Sequence, residues 1–146
     1  MKPVPSRLVH GIDVARVEAA IRMAERATSG EIRVAVSRFY FWGNVRRAAG
    51  AAFSRLRMDR TRERNGVLLF VAPRLRQFAV IGDAGIHQRV NDAFWEQIAE
   101  ILRAEFRAGN PTVGLERAIV AIGERLDTCF PSVGPARNEL SDRVDV

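Results

Sequence analysis

The chain has 146 residues, of which 47% are hydrophobic, with a formal net charge of +6 and one cysteine, Cys129. That apolar content suffices for one self-supporting domain; a disulfide scaffold is excluded, and with only His10 and His87 so is a zinc site built on paired histidines or cysteines. No run approaches the roughly 18 apolar residues of a membrane helix, and Met1–Arg7 lacks the apolar stretch of a secretory signal, so a cytoplasmic location is expected.

Residues 1–11 read as a lead, 12–131 as the folded domain and 132–146 as a flexible tail. Asp13 is a plausible helix cap, and Val14, Val17, Ile21 and Ala24 recur at helical spacing behind it. This helix should stop at Thr28-Ser29-Gly30. Glu31 to Arg38 alternates and is rich in β-branched residues, which predicts a strand with Ile32, Val34 and Val36 on one face and Arg33 and Ala35 on the other.

From Asn44 to Arg57 the period returns to that of a helix through Val45, Ala49, Ala52, Phe53 and Leu56. It leads to the wholly apolar strand Val67 to Ala72, whose character suits a sheet covered on both faces and reached by a parallel crossover. Pro73-Arg74-Leu75-Arg76 then closes an antiparallel hairpin into a strand from Gln77 to Ile81. Two helical stripes follow, Trp95-Ile98-Leu102-Phe106 and Leu115-Ile119-Ile122-Leu126, with Thr112 a candidate cap for the second. The expected fold is a three-layer α/β/α sandwich on a small mixed sheet, combining a parallel crossover with an antiparallel hairpin.

Residues 38–64 hold eight arginines against Asp59 and Glu63. Lys2 is the sole lysine, so this richness reads in part as compositional bias, and nucleic acid is not an expected partner. The aromatic and basic run Phe39-Tyr40-Phe41-Trp42 to Arg46-Arg47 either covers the end of the sheet or, if its rings are exposed, offers a docking surface through Trp42, Arg46 and Arg47.

The chain has no phosphate-binding glycine loop ending in Lys-Ser or Lys-Thr, no serine nucleophile elbow, and no arginine where a cysteine phosphatase loop would require one after Cys129, which reads as a packed thiol. What remains is a polar set near the strand ends: Ser29, Glu31, Arg33, Asp59, Thr61, Asn65, Asp83 and His87. Asp83 leads them, because it follows a strand in a loop with Gly82 and Gly85, and open α/β sheets keep their sites at carboxyl ends of strands. Carboxylate and amide oxygens suit calcium or magnesium. Equally, Asp83 can cap the following helix, Asn65-Gly66 can be a turn, Glu31 can pair with an arginine, and His87 can be a surface or capping residue.

Several pieces in order, Thr28-Ser29-Gly30-Glu31-Ile32-Arg33-Val34, Met58-Asp59-Arg60-Thr61, Arg64-Asn65-Gly66-Val67-Leu68-Leu69-Phe70-Val71, Ile81-Gly82-Asp83-Ala84-Gly85-Ile86, Phe94-Trp95 and Phe130-Pro131, resemble the TPM domain family and in particular its short bacterial branch. The resemblance spans about Ile12 to Pro131 and implies an α/β/α sandwich. Family members include thylakoid lumen proteins of photosystem II repair and a nematode receptor auxiliary protein, and calcium binding and acid phosphatase activity are attributed to some. Carried over by position, the resemblance implies Glu31, Asn65 and Asp83 as oxygen donors to a metal, with Arg33, Thr61 and Arg64 as phosphate-binding or orienting groups. Two expectations follow. One is a monomeric module that binds an ion or an unidentified protein partner and assists maintenance of a larger complex; the other is a weak, metal-assisted acid phosphatase using Asp83, Arg33 and Arg64.

Overall fold

The computed structural model describes residues 8–38, 43–132 and 139–146. Trp42 and the aromatic run 39–42 lie outside the described residues. A short hairpin opens the structure: β1 (Leu8–Val9) pairs antiparallel with β2 (Ile12–Asp13) across His10 and Gly11, both at positive φ (48° and 80°). Positive φ at two central residues is the turn geometry that matches strand twist, and glycine at the second makes it cheap. Residues 8–11 therefore belong to the fold rather than to the lead expected from the sequence.

Asp13 caps α1 (Val14–Ala24) by accepting the Arg16 N–H at 3.2 Å, as its position suggested. A single 3-10 turn (Glu25–Ala27) delivers the chain to β3 (Glu31–Val36). Helix α2 (Val45–Arg55), capped by Asn44, crosses to β4 (Gly66–Ala72), which runs parallel to β3. Strand β5 (Gln77–Gly82) returns antiparallel to β4, giving the sheet order β3-β4-β5. Short α3 (Ala84–His87), then α4 (Asp92–Arg107) and α5 (Pro111–Cys129), complete the ordered body.

The layers follow from strand alternation. Ile32, Val34 and Val36 on β3 share one core with Val67, Leu69 and Val71 on β4 and with α1, α4 and α5. Ala35, Leu68, Phe70 and Ala79 face the other way into a smaller core under α2. Every residue of β4 is buried, as a strand covered on both faces requires. The three-layer α/β/α sandwich read from the sequence is the architecture observed. Thr112 does not cap α5, which begins at Pro111; its hydroxyl accepts the Asp13 N–H at 3.0 Å and donates to the Gly11 carbonyl, tying the hairpin to the helix.

The largest departure from the sequence reading is at the chain's end. Residues 139–146, expected to be a loose tail, run beside β3: Val36 N–H donates to the Asp145 carbonyl at 2.7 Å and Asp145 N–H to the Val34 carbonyl at 2.9 Å. Val144 is buried in the larger core, Asp145 pairs with Arg55, and Val144 N–H reaches the Glu18 carboxylate. One buried valine and two strand-edge hydrogen bonds are too few to leave a periodic signal, yet enough to dock a short segment. Removing residues 139–146 is expected to lower stability by about 3 kcal/mol and to speed exchange of the Val36 amide, measured by denaturant unfolding and by hydrogen exchange.

Candidate functional site

The polar groups collect at one end of the sheet. Glu31 is paired with Gly66 across the parallel ladder, and the Asp83 N–H donates to the Gly66 carbonyl at 3.0 Å. The entries of β3 and β4 thus lie beside the exit of β5. Asp83 does sit at a strand's carboxyl end, but in this mixed sheet that end coincides with the amino ends of the parallel pair, so the rule for open parallel sheets is not what puts it there.

Asp83 is 6% exposed and fully engaged. Its Oδ2 accepts from Arg64 Nε at 2.7 Å, and its Oδ1 accepts from Arg64 Nη2 at 3.0 Å and from the Ala84 N–H at 2.8 Å. It is the cap of α3 and half of a bidentate ion pair, a geometry that fixes both partners. Arg64 takes a left-handed backbone conformation (φ 53°) to present its guanidinium, and its carbonyl accepts the Gly85 N–H at 2.8 Å. A Cβ at Gly85 would lie 2.2 Å from the Glu63 carbonyl oxygen, so only glycine permits this approach.

Asn65 is buried between these features. Its backbone N–H donates to Thr61 Oγ1 at 3.1 Å, and its Nδ2 donates to Ser29 Oγ and Glu63 Oε2 at 3.1 and 3.2 Å. Ser29 Oγ itself hydrogen-bonds Glu63 Oε2. The Asn65 Oδ1 atom is buried with no hydrogen-bond partner among the described residues. Arg33, half-buried in the middle of β3, likewise has a buried Nε without one.

Glu31 belongs to a different group. It is 2% exposed, its Oε1 accepts the Glu139 N–H at 2.6 Å, and its Oε2 is buried without a hydrogen-bond partner among the described residues. Beside it stand Glu25 and Asp142, and the three carboxylates each offer an oxygen within 4.8 Å of the others. Glu25 accepts the outward-pointing Ile32 N–H at 2.7 Å and hydrogen-bonds the Asp142 carboxyl. Burial, reinforced by that bond, pushes the Glu25 carboxyl up to about 10, and burial pushes Glu31 up to about 7 against the lowering effect of hydrogen bonds from the Glu139 N–H and the Glu25 side chain. Glu25 and Glu31 together therefore carry at least one proton at neutral pH.

Of the residues singled out in the sequence, Arg64 and Asp83 are brought together as a pair, Asn65 joins Ser29, Thr61 and Glu63, and Glu31 joins Glu25 and Asp142. Asp83 is not a member of the carboxylate trio. Arg46 and Arg47 are exposed in the first turn of α2, and His87 is exposed with its ring 5.5 Å from that of Trp95. Glu25 and Asp142 were missed. Glu25 reads as the solvated end of a helix, and Asp142 is delivered by the chain end that the sequence marked as loose.

Residues 7–125 match the profile of the TPM domain. Among solved structures the chain is similar to the BA42 protein of the psychrophilic bacterium Bizionia argentinensis, with 33% identity, 99% of each chain covered and a TM-score of 0.86. It shares its fold with the N-terminal domain of a protein from P. gingivalis at 18% identity and a TM-score of 0.60, over 77% of this chain and 72% of that one. No curated protein matches it.

Both raised values lie above the ordinary 4.5 of a glutamic acid, so the folded chain binds more protons than the unfolded one above that pH. Stability is then greatest at or below about pH 4.5 as far as this trio is concerned, and falls as pH rises through about 7 for Glu31 and onward towards 10 for Glu25. Denaturant midpoints measured from pH 5 to pH 9 without divalent cations are expected to decline, and Glu31→Gln should flatten the part of the decline between pH 5 and 7.

Proposed function

Because the chain belongs to the TPM domain family, we propose that it is a divalent-cation-binding module acting in the upkeep of a larger protein assembly, with Glu25, Glu31 and Asp142 as its ligands. One observation carries the reading: a glutamate 2% exposed stands in a group of three carboxylates, each offering an oxygen within 4.8 Å of the others. Burying like charges together is costly unless protons or a cation neutralise them. An all-carboxylate donor set fits a hard ion, calcium or magnesium, and fits zinc or copper poorly.

The ligands differ from those the family resemblance suggests in two of three positions. Glu31 is kept. Asp83 has both oxygens committed to Arg64 and Ala84, while Asn65 contributes an amide oxygen that remains an additional donor of the same end of the sheet. When bound, the cation supplies the positive charge that the trio otherwise takes from protons. Glu25 and Glu31 must then release protons, so affinity should rise with pH. Asp142 comes from residues 139–146, so occupancy would also reinforce their attachment to β3.

A second reading, weak metal-assisted hydrolysis of phosphomonoesters, draws on two basic groups. Arg33 has a buried Nε with no partner among the described residues, and Arg64 is half-exposed beside Asp83. Both could hold phosphoryl oxygens. No activated nucleophile accompanies them among the described residues, and the cation-binding reading is preferred for that reason.

Calorimetric titration with calcium chloride and with magnesium chloride is expected to show one site, at least about tenfold tighter at pH 8 than at pH 6, and lost in Glu31→Gln. Absence of heat and of amide shifts near Glu31 at millimolar ion would end the proposal. For the second reading, turnover of an aryl phosphate that survives Asp83→Ala and Arg33→Ala unchanged would identify a contaminant.

A further inference from the structure

The two edges of the sheet are treated differently. On β3 three outward-pointing groups are engaged: Ile32 N–H by Glu25, and the Val34 carbonyl and Val36 N–H by Asp145. The other edge belongs to β5. The bond from Asp83 N–H to the Gly66 carbonyl identifies Gly66 and Asp83 as a hydrogen-bonded pair, and in an antiparallel ladder this property alternates. Gln77, Ala79 and Ile81 therefore turn their backbone groups towards β4, and Phe78 and Val80 turn theirs away from it. No strand pairs with this outer edge among the described residues.

An open groove runs along that edge. Phe78 and Val80 are half-buried in it, and Phe78 packs edge-on against Phe106, with ring centroids 5.6 Å apart. Trp95 lines the same groove with a buried Nε1 that has no acceptor among the described residues. The charged lining is Arg46, Arg76, Arg103 and Arg107 against Asp92 and Glu96. Arg103 is engaged by Glu100, whereas Arg46, Arg76 and Arg107 are exposed and form no ion pair among the described residues. An unpaired strand edge is a template for another strand, and proteins usually protect it by covering it or by loading it with charge. Here the charge is mixed but predominantly positive, with Arg46, Arg76 and Arg107 set against Asp92 and Glu96, and it flanks an apolar floor.

We propose that the outer edge of β5 is a docking site for an extended acidic segment of a protein partner, which adds a fourth strand to the sheet. The partner's backbone would bond the Phe78 and Val80 amides and carbonyls, its apolar side chains would lie over the floor, and its carboxylates would meet Arg46, Arg76 and Arg107. Strand addition takes its affinity from main-chain bonds and its selectivity from alternate side chains. The surrounding arginines select for acidic partners and against basic ones. This site is independent of the carboxylate trio, which lies beyond the opposite edge of the sheet.

The test uses the full chain and a fluorescein-labelled peptide alternating glutamate and valine over six residues, with two controls: the same peptide N-methylated on alternate amides, and a lysine-valine counterpart. Anisotropy is expected to report binding of the acidic peptide, weakened at least tenfold by N-methylation, by the lysine replacement and by the double variant R76E/R107E, whose two sites are exposed and leave the fold intact. Hydrogen exchange by NMR should show fast Phe78 and Val80 amides beside slow Ala79 and Ile81 in the free chain, with Phe78 and Val80 slowed by the peptide. Equal binding of all three peptides, or no change at Phe78 and Val80, would overturn the proposal. Concentration-dependent protection of these amides without peptide, accompanied by dimers in sedimentation, would overturn it in favour of a second copy of the chain as the occupant.

Discussion

The parallel pairing of β3 with β4 is the constraint on which the remaining structure depends. It demands a crossover, which α2 supplies on one face, and it sets Glu31 opposite Gly66 at the end where the chain also leaves β5. β4 is buried throughout, with alternate residues in the cores on its two faces. The polar groups at that end are therefore held by the most stable part of the molecule, although they sit on its turns.

That end of the sheet contains two electrostatic solutions side by side. Asp83 is buried with both carboxylate oxygens engaged by Arg64 and the first turn of α3. Glu31 is buried as deeply, and burial outweighs its hydrogen bonds to the Glu139 N–H and the Glu25 side chain, so its charge is penalised and its proton is retained to higher pH. The difference marks the first as structural and the second as a place where an additional positive charge would stabilise the fold. The ion pair is half-exposed on the arginine side, which limits its contribution to stability and leaves its role chiefly one of positioning.

A three-stranded sheet has two edges for one buried strand, and among the described residues only one of them is closed. The closing segment is the chain's own end, bonded to Val34 and Val36 and carrying Asp142 into the carboxylate group. Closure of that edge and completion of the candidate cation site are consequently the same event. The open edge has the opposite character, basic and partly apolar, so the two sides of the sheet would engage different kinds of ligand.

Much of this architecture was legible in the amino-acid order. The alternation of Glu31 to Val36, the unbroken apolar run of β4, the cap Asp13 and the helical stripes of α4 and α5 are each local features, and local choices are written in neighbouring residues. The family resemblance, likewise a matter of linear order, implied the sandwich. What depended on folding was the company each polar group keeps. Nothing near Asp83 in sequence distinguishes an engaged carboxylate from an available one, because Arg64 reaches it across the sheet's end. Glu25 and Asp142 meet Glu31 only once α1, β3 and residues 139–146 have docked, since burial and charge neighbourhood are properties of packed distance and not of chain position.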